Sequence, residues 1–159
     1  MSLPPFFHPP VAPQAGCELC REPGGELVFQ APTWRVIRAV DAAFPAFYRV
    51  VWRAHVAEFT DLSLAEQAAL MGVVGTVERV LREALRPTKI NLASLGNVVP
   101  HLHWHVIARF DWDSHFPAPV WGQAQRVLEG ASAAERLGLP LAELDGRVAR
   151  AVAALSPAA

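Results

Sequence analysis

Cysteine is scarce: in 159 residues only Cys17 and Cys20 occur. Two are too few for the disulfide framework of a small secreted domain. A secretory signal is missing as well. Met1-Ser2-Leu3-Pro4-Pro5-Phe6-Phe7-His8-Pro9-Pro10 has neither a basic start nor an apolar run, and its prolines oppose a targeting helix. Hydrophobic residues make up 52% of the chain, yet no uninterrupted stretch approaches the roughly 20 apolar residues of a membrane span. A soluble, cytoplasmic protein with no membrane partner is therefore expected. Charge of one sign is lacking too: Lys+Arg number 14 against Asp+Glu 15, for a formal net charge of −1. A broad nucleic-acid-binding face needs clustered positive charge, so nucleic acid is not an expected partner. A small anionic ligand stays possible, because backbone N–H groups and a few histidines can hold a phosphate. Internal repeats and the glycine-rich loops of dinucleotide folds and P-loops are also absent.

What is present fits one core. Residues 1–16 carry five of the 14 prolines and read as an irregular arm. Residues 27–29, 34–40 and 47–52 are rich in β-branched and aromatic side chains and are separated by Pro32 and Pro45, which predicts an antiparallel meander. Ser63-Leu-Ala-Glu66 is a capping box. Leu70, Val73, Val74, Val77, Leu81 and Leu85 then recur at helical spacing until Pro87, which predicts one long helix covering the sheet. Strands follow at 89–93 and 102–107, joined by a polar turn around Gly96-Asn97. Helical patterns at 121–128 and 141–155 complete the chain. Strands, long helix, strands, then C-terminal helices is the order of an α+β domain with an antiparallel sheet of about five strands.

His101, His103 and His105 alternate with Leu102, Trp104 and Val106, the period of a strand with one polar face. That alternation lines three imidazoles along one side at roughly 7 Å spacing. A lone histidine of this kind is most often solvated or satisfied in the core; three in register point to chemistry. Two chemistries fit. The imidazoles could hold a catalytic zinc, making the chain a zinc-dependent hydrolase. Alternatively, one is a nucleophile toward phosphorus while its neighbours position the phosphate.

The stretch Asn91-Leu-Ala-Ser-Leu-Gly96-Asn97-Val-Val-Pro-His101-Leu-His103-Trp-His105-Val-Ile107-Ala-Arg109 resembles the signature of the histidine triad (HIT) family, His-φ-His-φ-His-φ-φ with φ apolar, behind an amide-bearing loop. The resemblance is sharpest over 89–109, extends loosely back to Cys17 and does not cover the last forty residues. It implies a HIT-like α+β fold, commonly homodimeric, that hydrolyses or transfers nucleoside monophosphate groups. Dinucleoside polyphosphates, as in the bacterial diadenosine-polyphosphate-hydrolase-like branch, and nucleoside phosphoramidates are the substrate classes implied. By position His103 matches the nucleophile, His105 the histidine that hydrogen-bonds the phosphate and protonates the leaving group, and His101 the supporting member. Asn97 matches a phosphate contact, Asn91 a nucleotide contact, and Asp41 the carboxylate that grips the ribose. On this reading residues 17–118 form the HIT domain and 119–159 a helical extension packed on it. Ala108 before Arg109 departs from the common Pro-Arg, and Phe44-Pro-Ala-Phe47-Tyr48 lacks the Pro-x-x-Pro and histidine of better-known branches. A non-catalytic nucleotide-binding module is a third reading that the same fold permits.

Cys17-Glu-Leu-Cys20 by itself suits half a zinc site, a redox pair or two plain thiols. The redox motif opens a helix after a strand, and the proline-rich lead-in predicts neither. Some HIT proteins complete such a pair with two histidines, here His55 and His101. That set would be a closed, structural Cys2His2 zinc, with no cofactor required for catalysis itself. His8 falls in the arm. His115 reads as a loop residue, and the five tryptophans as core or interface, with Trp112 or Trp121 able to reach a nucleobase.

Overall fold

The computed structural model describes residues 12–156. Most of the proline-rich arm, His8 included, lies outside them. Five strands, β1 (Glu26–Gln30), β2 (Trp34–Arg38), β3 (Phe47–Trp52), β4 (Lys89–Ala93) and β5 (His103–Arg109), form one antiparallel sheet in the order β1-β2-β3-β5-β4. The first three are the expected meander. The chain then crosses the sheet, lays β4 at the far edge and returns with β5 between β4 and β3. The histidine strand is thus paired on both sides, where its backbone has least freedom.

Helix α2 (Leu64–Leu85) supplies the crossing. Ser63 accepts from the Glu66 N–H while the Glu66 carboxylate takes the Ser63 N–H, a reciprocal cap whose serine is worth about 1 kcal/mol. The helix stops as Arg86 takes a left-handed conformation, φ 47°, just before Pro87. Its buried stripe, Leu70, Val73, Val74, Val77, Val80 and Leu81, meets Val36, Tyr48, Val50, Trp52, Val106 and Ala108 of the sheet. Each such side chain contributes roughly 1.5–3 kcal/mol by leaving water. Helix α4 (Leu141–Ala153) joins this core through Leu144, Val148 and Val152. Its Asp145 accepts from the Tyr48 hydroxyl at 2.6 Å and from Arg38 Nε at 2.9 Å, tying the helix to β3 and β2.

Because strand side chains alternate, the opposite face carries Arg35, Ile37, Phe47, Arg49, Val51, His103, His105 and Ile107. Two small apolar clusters cover parts of it. Cys17, Leu19 and Cys20 pack on Ile37 and Val51, and Ala39 and Phe44 pack on Phe47 and Ile107. The space between them is open.

Four expectations need correction. Residues 121–128 form no helix. The segment has no capping residue, contains Gly122 and is almost wholly exposed, so nothing repays its ordering as a helix. Its bonds run instead to the preceding loop, from the Gln125 N–H to the Ser114 carbonyl and from the Arg126 guanidinium to the carbonyls of Asp111 and Asp113. Strand β5 begins at His103, so His101 lies before the strand and the three imidazoles do not form one row. Strand β2 ends at Arg38 and not at 40. The cysteine pair does open a helix, α1 (Glu18–Arg21), with Cys17 at its N-cap, although no strand precedes it among the described residues. An unforeseen one-turn helix, α3 (Ala133–Arg136), is started by a Ser132–Glu135 capping box.

Candidate active site and metal cluster

His103 is buried at the start of β5, and its Nδ1 lies 2.6 Å from the His101 carbonyl. A carbonyl only accepts, so Nδ1 carries the proton and Nε2 keeps its lone pair. Burial, then the charges of Arg49 and Arg35, lower the His103 pKa against the opposing pull of that carbonyl bond. The ring is therefore neutral, as a nucleophile must be. His105 stands edge-on to it, ring centroids 4.8 Å apart. Burial, with His103 and Arg49 beside it, brings the His105 pKa to about 3. Its Nδ1 is buried with no hydrogen-bond partner among the described residues. An orphaned N–H is rarer than an orphaned acceptor, which places the His105 proton on Nε2.

Both imidazoles line a cavity of about 570 Å³ together with Glu18, Arg49, Gly96, Asn97 and Trp121. That volume is within the range of small-molecule sites. Gly96, at φ 73°, turns the loop with a left-handed backbone that side-chain-bearing residues rarely adopt. A larger hollow of about 640 Å³ runs along the edge of β1 beside Leu27, Phe29 and Arg53, and it brings no nucleophile and base together.

The four metal candidates do converge. The ligand atoms of Cys17, Cys20, His55 and His101 all lie within 4.8 Å of one another. His101 Nδ1 is 3.4 Å from Cys17 Sγ and 3.5 Å from Cys20 Sγ, and His55 Nδ1 is 3.5 Å from Cys20 Sγ. A tetrahedral zinc, with bonds near 2.3 Å to sulfur and 2.0–2.1 Å to nitrogen, sets such ligands about 3.5 Å apart. His101 Nε2–H donates to the Trp52 carbonyl at 2.6 Å, so the Nδ1 lone pair points at the thiols. Burial lowers the His101 pKa to about 4, keeping that lone pair available, and raises that of Cys20. Arg35, wholly buried, donates to the carbonyls of Leu19, Glu22 and Pro23 and fastens α1 and the turn behind it to the sheet. The donor set fits a structural metal.

The remaining sequence candidates divide. Asn97 lines the cavity. Asn91 shares the site face of β4, but its Oδ1 accepts from Arg109 Nη1 at 2.8 Å. Asp41 sits on an exposed turn before β3, where its Oδ1 accepts from the N–H groups of Ala43 and Phe44. Neither borders the cavity. His115 is bonded to Ser114 and packs on the Phe44 ring, and Trp112 stacks on Phe110, away from the site. Sequence reasoning missed Arg49, whereas Trp121, expected to be able to reach a nucleobase, lines the cavity. Arg49 is a lone charge at an inward position of an apolar strand, a signal legible only once the pairing of β3 with β5 is known. Trp121 reaches His105, at 5.1 Å between ring centroids, through the irregular segment misread as a helix.

The HIT domain family model matches residues 21–112, more than half of the chain. The chain belongs to the histidine triad family. A histidine triad protein from Bradyrhizobium japonicum is 32% identical, with 82% of this chain and 92% of that one covered at a TM-score of 0.66. One from Sinorhizobium meliloti is 28% identical over 81% and 90%, TM-score 0.63. A Marinobacter aquaeolei histidine triad protein, at 24% identity and TM-score 0.66, shares the fold. No match was found among curated proteins. Membership places this HIT protein among nucleotide-binding hydrolases and transferases. Among the described residues no helix is long and apolar enough to cross a membrane.

Proposed function

We propose that this HIT protein cleaves the phosphate bond next to a nucleoside through a covalent nucleotidyl-histidine on His103, with dinucleoside polyphosphates or nucleoside phosphoramidates as substrates. The observation that carries this reading is the His103 Nδ1–H bond to the His101 carbonyl, which leaves Nε2 unprotonated at the wall of the cavity. Nε2 forms the bond to phosphorus as the bond to the leaving oxygen or nitrogen breaks. The electron pair departs with that atom, which accepts a hydrogen bond from His105 Nε2–H and takes its proton from solvent. Water then attacks the same phosphorus and gives its proton to solvent as the P–N bond breaks and the pair returns to His103 Nε2. Asn97 and the backbone beside Gly96 offer donors to the equatorial oxygens of the five-coordinate state. Asn91 and Asp41 belong to the same proposal as nucleotide and ribose contacts, as does Trp121 as an aromatic wall.

The alternative, a zinc hydrolase using all three histidines as ligands, is disfavoured by their orientation. His101 turns its lone pair to the thiols, and His103 Nδ1 is engaged by a carbonyl. Zinc instead belongs with Cys17, Cys20, His55 and His101, a closed set that would anchor α1 to the catalytic strand. Residues 17–118 act as the HIT domain and 119–159 as its extension. Two free thiols suit the reducing cytoplasm. A homodimer completes the proposal, with the open edges of β1 and β4 available to it.

The test is hydrolysis of adenosine 5′-phosphoramidate and diadenosine polyphosphate by the wild type and His103→Ala, each with and without a strong chelator. Wild-type turnover that survives chelation, is lost in the variant and leaves a nucleoside-monophosphate adduct on His103 is the expected result. Turnover undiminished in His103→Ala refutes the proposal, as does activity that chelator removes and zinc restores while the fold persists.

A further inference from the structure

A phosphoryl group attacked by His103 is an anion, and it calls for a positive charge in the cavity wall. Arg49 is the one Lys or Arg among its described lining residues. Its Cα is the direct partner of His105 across β3 and β5, so guanidinium and imidazole rise from adjacent positions on one face.

The guanidinium is held but not neutralised. Its Cζ stands 5.3 Å over the Phe47 ring, and Phe47 in turn meets His105 edge-on. Nη1 donates to the Gly24 carbonyl at 3.3 Å, and Nε is buried with no acceptor among the described residues. Nη2 has no protein partner among the described residues and is not sealed from solvent. The carboxylates of Glu18 and Asp41 act on Arg49 through space, and neither lies within 4.0 Å of it. Half-burial of a permanent charge without a counter-ion is costly for the fold, and an arginine cannot shed its proton to escape the cost. A bound anion removes it. The anion that the neighbouring nucleophile requires is a phosphoryl group.

We propose that Arg49 is a phosphate-binding residue, donating from Nη2 to an oxygen of the phosphoryl group that His103 attacks. The inference rests on the nucleotidyl-transfer reading above and adds to it a fixed positive charge beside the reacting phosphorus. The bond to Gly24 and the stacking on Phe47 hold the fork in place before substrate arrives, which spares the ordering of a long side chain on binding.

Binding of AMP and of adenosine to the wild type, Arg49→Met and Arg49→Lys, followed by titration calorimetry, tests it. A charge-assisted bond to phosphate predicts that Arg49→Met weakens AMP roughly 10- to 100-fold, while adenosine, which lacks the phosphate, changes by less than roughly 3-fold. Arg49→Lys keeps the charge without the bond to Gly24, and its AMP affinity falls between the two while adenosine is again spared. The lysine variant also decides the matter if the methionine variant does not fold. An AMP affinity unchanged in either variant overturns the inference, and so does a parallel loss of AMP and adenosine, the signature of a structural strut. Failure of the wild type to bind AMP, with adenosine and inorganic phosphate also unbound, sinks the nucleotide reading itself and the inference with it.

Discussion

Asp113→Ala is expected to be among the most destabilising single changes in this HIT protein. Arg109 and Asp113 are 2% and 3% exposed and form a two-pronged pair, Nε to Oδ2 at 2.8 Å and Nη2 to Oδ1 at 3.0 Å. Asp113 also accepts the N–H groups of Phe110, His115 and Phe116, and Arg109 reaches on to Asn91 and the Ala118 carbonyl. Deleting the carboxylate leaves a buried guanidinium uncompensated, a loss of about 3–5 kcal/mol. At about 2–4 °C per kcal/mol for a domain of this size, the melting temperature falls by about 6–20 °C. Acid gives a second signature. Burial works to raise the Asp113 pKa, but the Arg109 bond and the three backbone donors outweigh it and hold the group below its ordinary 3.8. A depressed carboxyl pKa contributes stability that is fully present above the unfolded value and is lost as pH drops through the folded one. The gap in melting temperature between wild type and variant should therefore be constant near neutrality and narrow below about pH 3.8. Thermal melting followed by circular dichroism from pH 7 to 2.5 measures both. A neutral-pH shift under 2 °C, or a gap that widens in acid, refutes the reasoning.

Cys17→Ser should lower bound zinc from about one equivalent toward none by atomic emission and lower the melting temperature, and chelator should then add little further loss. Equal metal content in variant and wild type, or a wild-type melt indifferent to chelator, defeats the zinc assignment. Trp121→Ala removes the ring beside His105 and should raise KM several-fold with a smaller change in kcat, since the indole walls the cavity and offers the reaction neither nucleophile nor acid. A selective fall in kcat would instead place Trp121 in the chemistry.

How much of this was legible beforehand depended on whether a feature was local. The capping box at Ser63, the stripe from Leu70 to Leu81 and the alternation around His103 are written in contiguous residues, because helix and strand periods repeat within a few positions. They determined the elements, the fold class and the family. The segment 121–128 carries a helical pattern too, but its fate was decided by the Ser114 carbonyl and the loop around Asp113, partners its own residues cannot announce. Separating His101 from the strand, and handing it to thiols more than eighty residues away in sequence, was likewise a matter of packing. So was the meeting of Arg49 with His105. The sequence by itself determined which groups are available for chemistry, since residue types and short periods are properties of the chain. Which of them face one another was decided only by the tertiary structure, because inserting β5 between β3 and β4 sets neighbours that no sequence distance encodes.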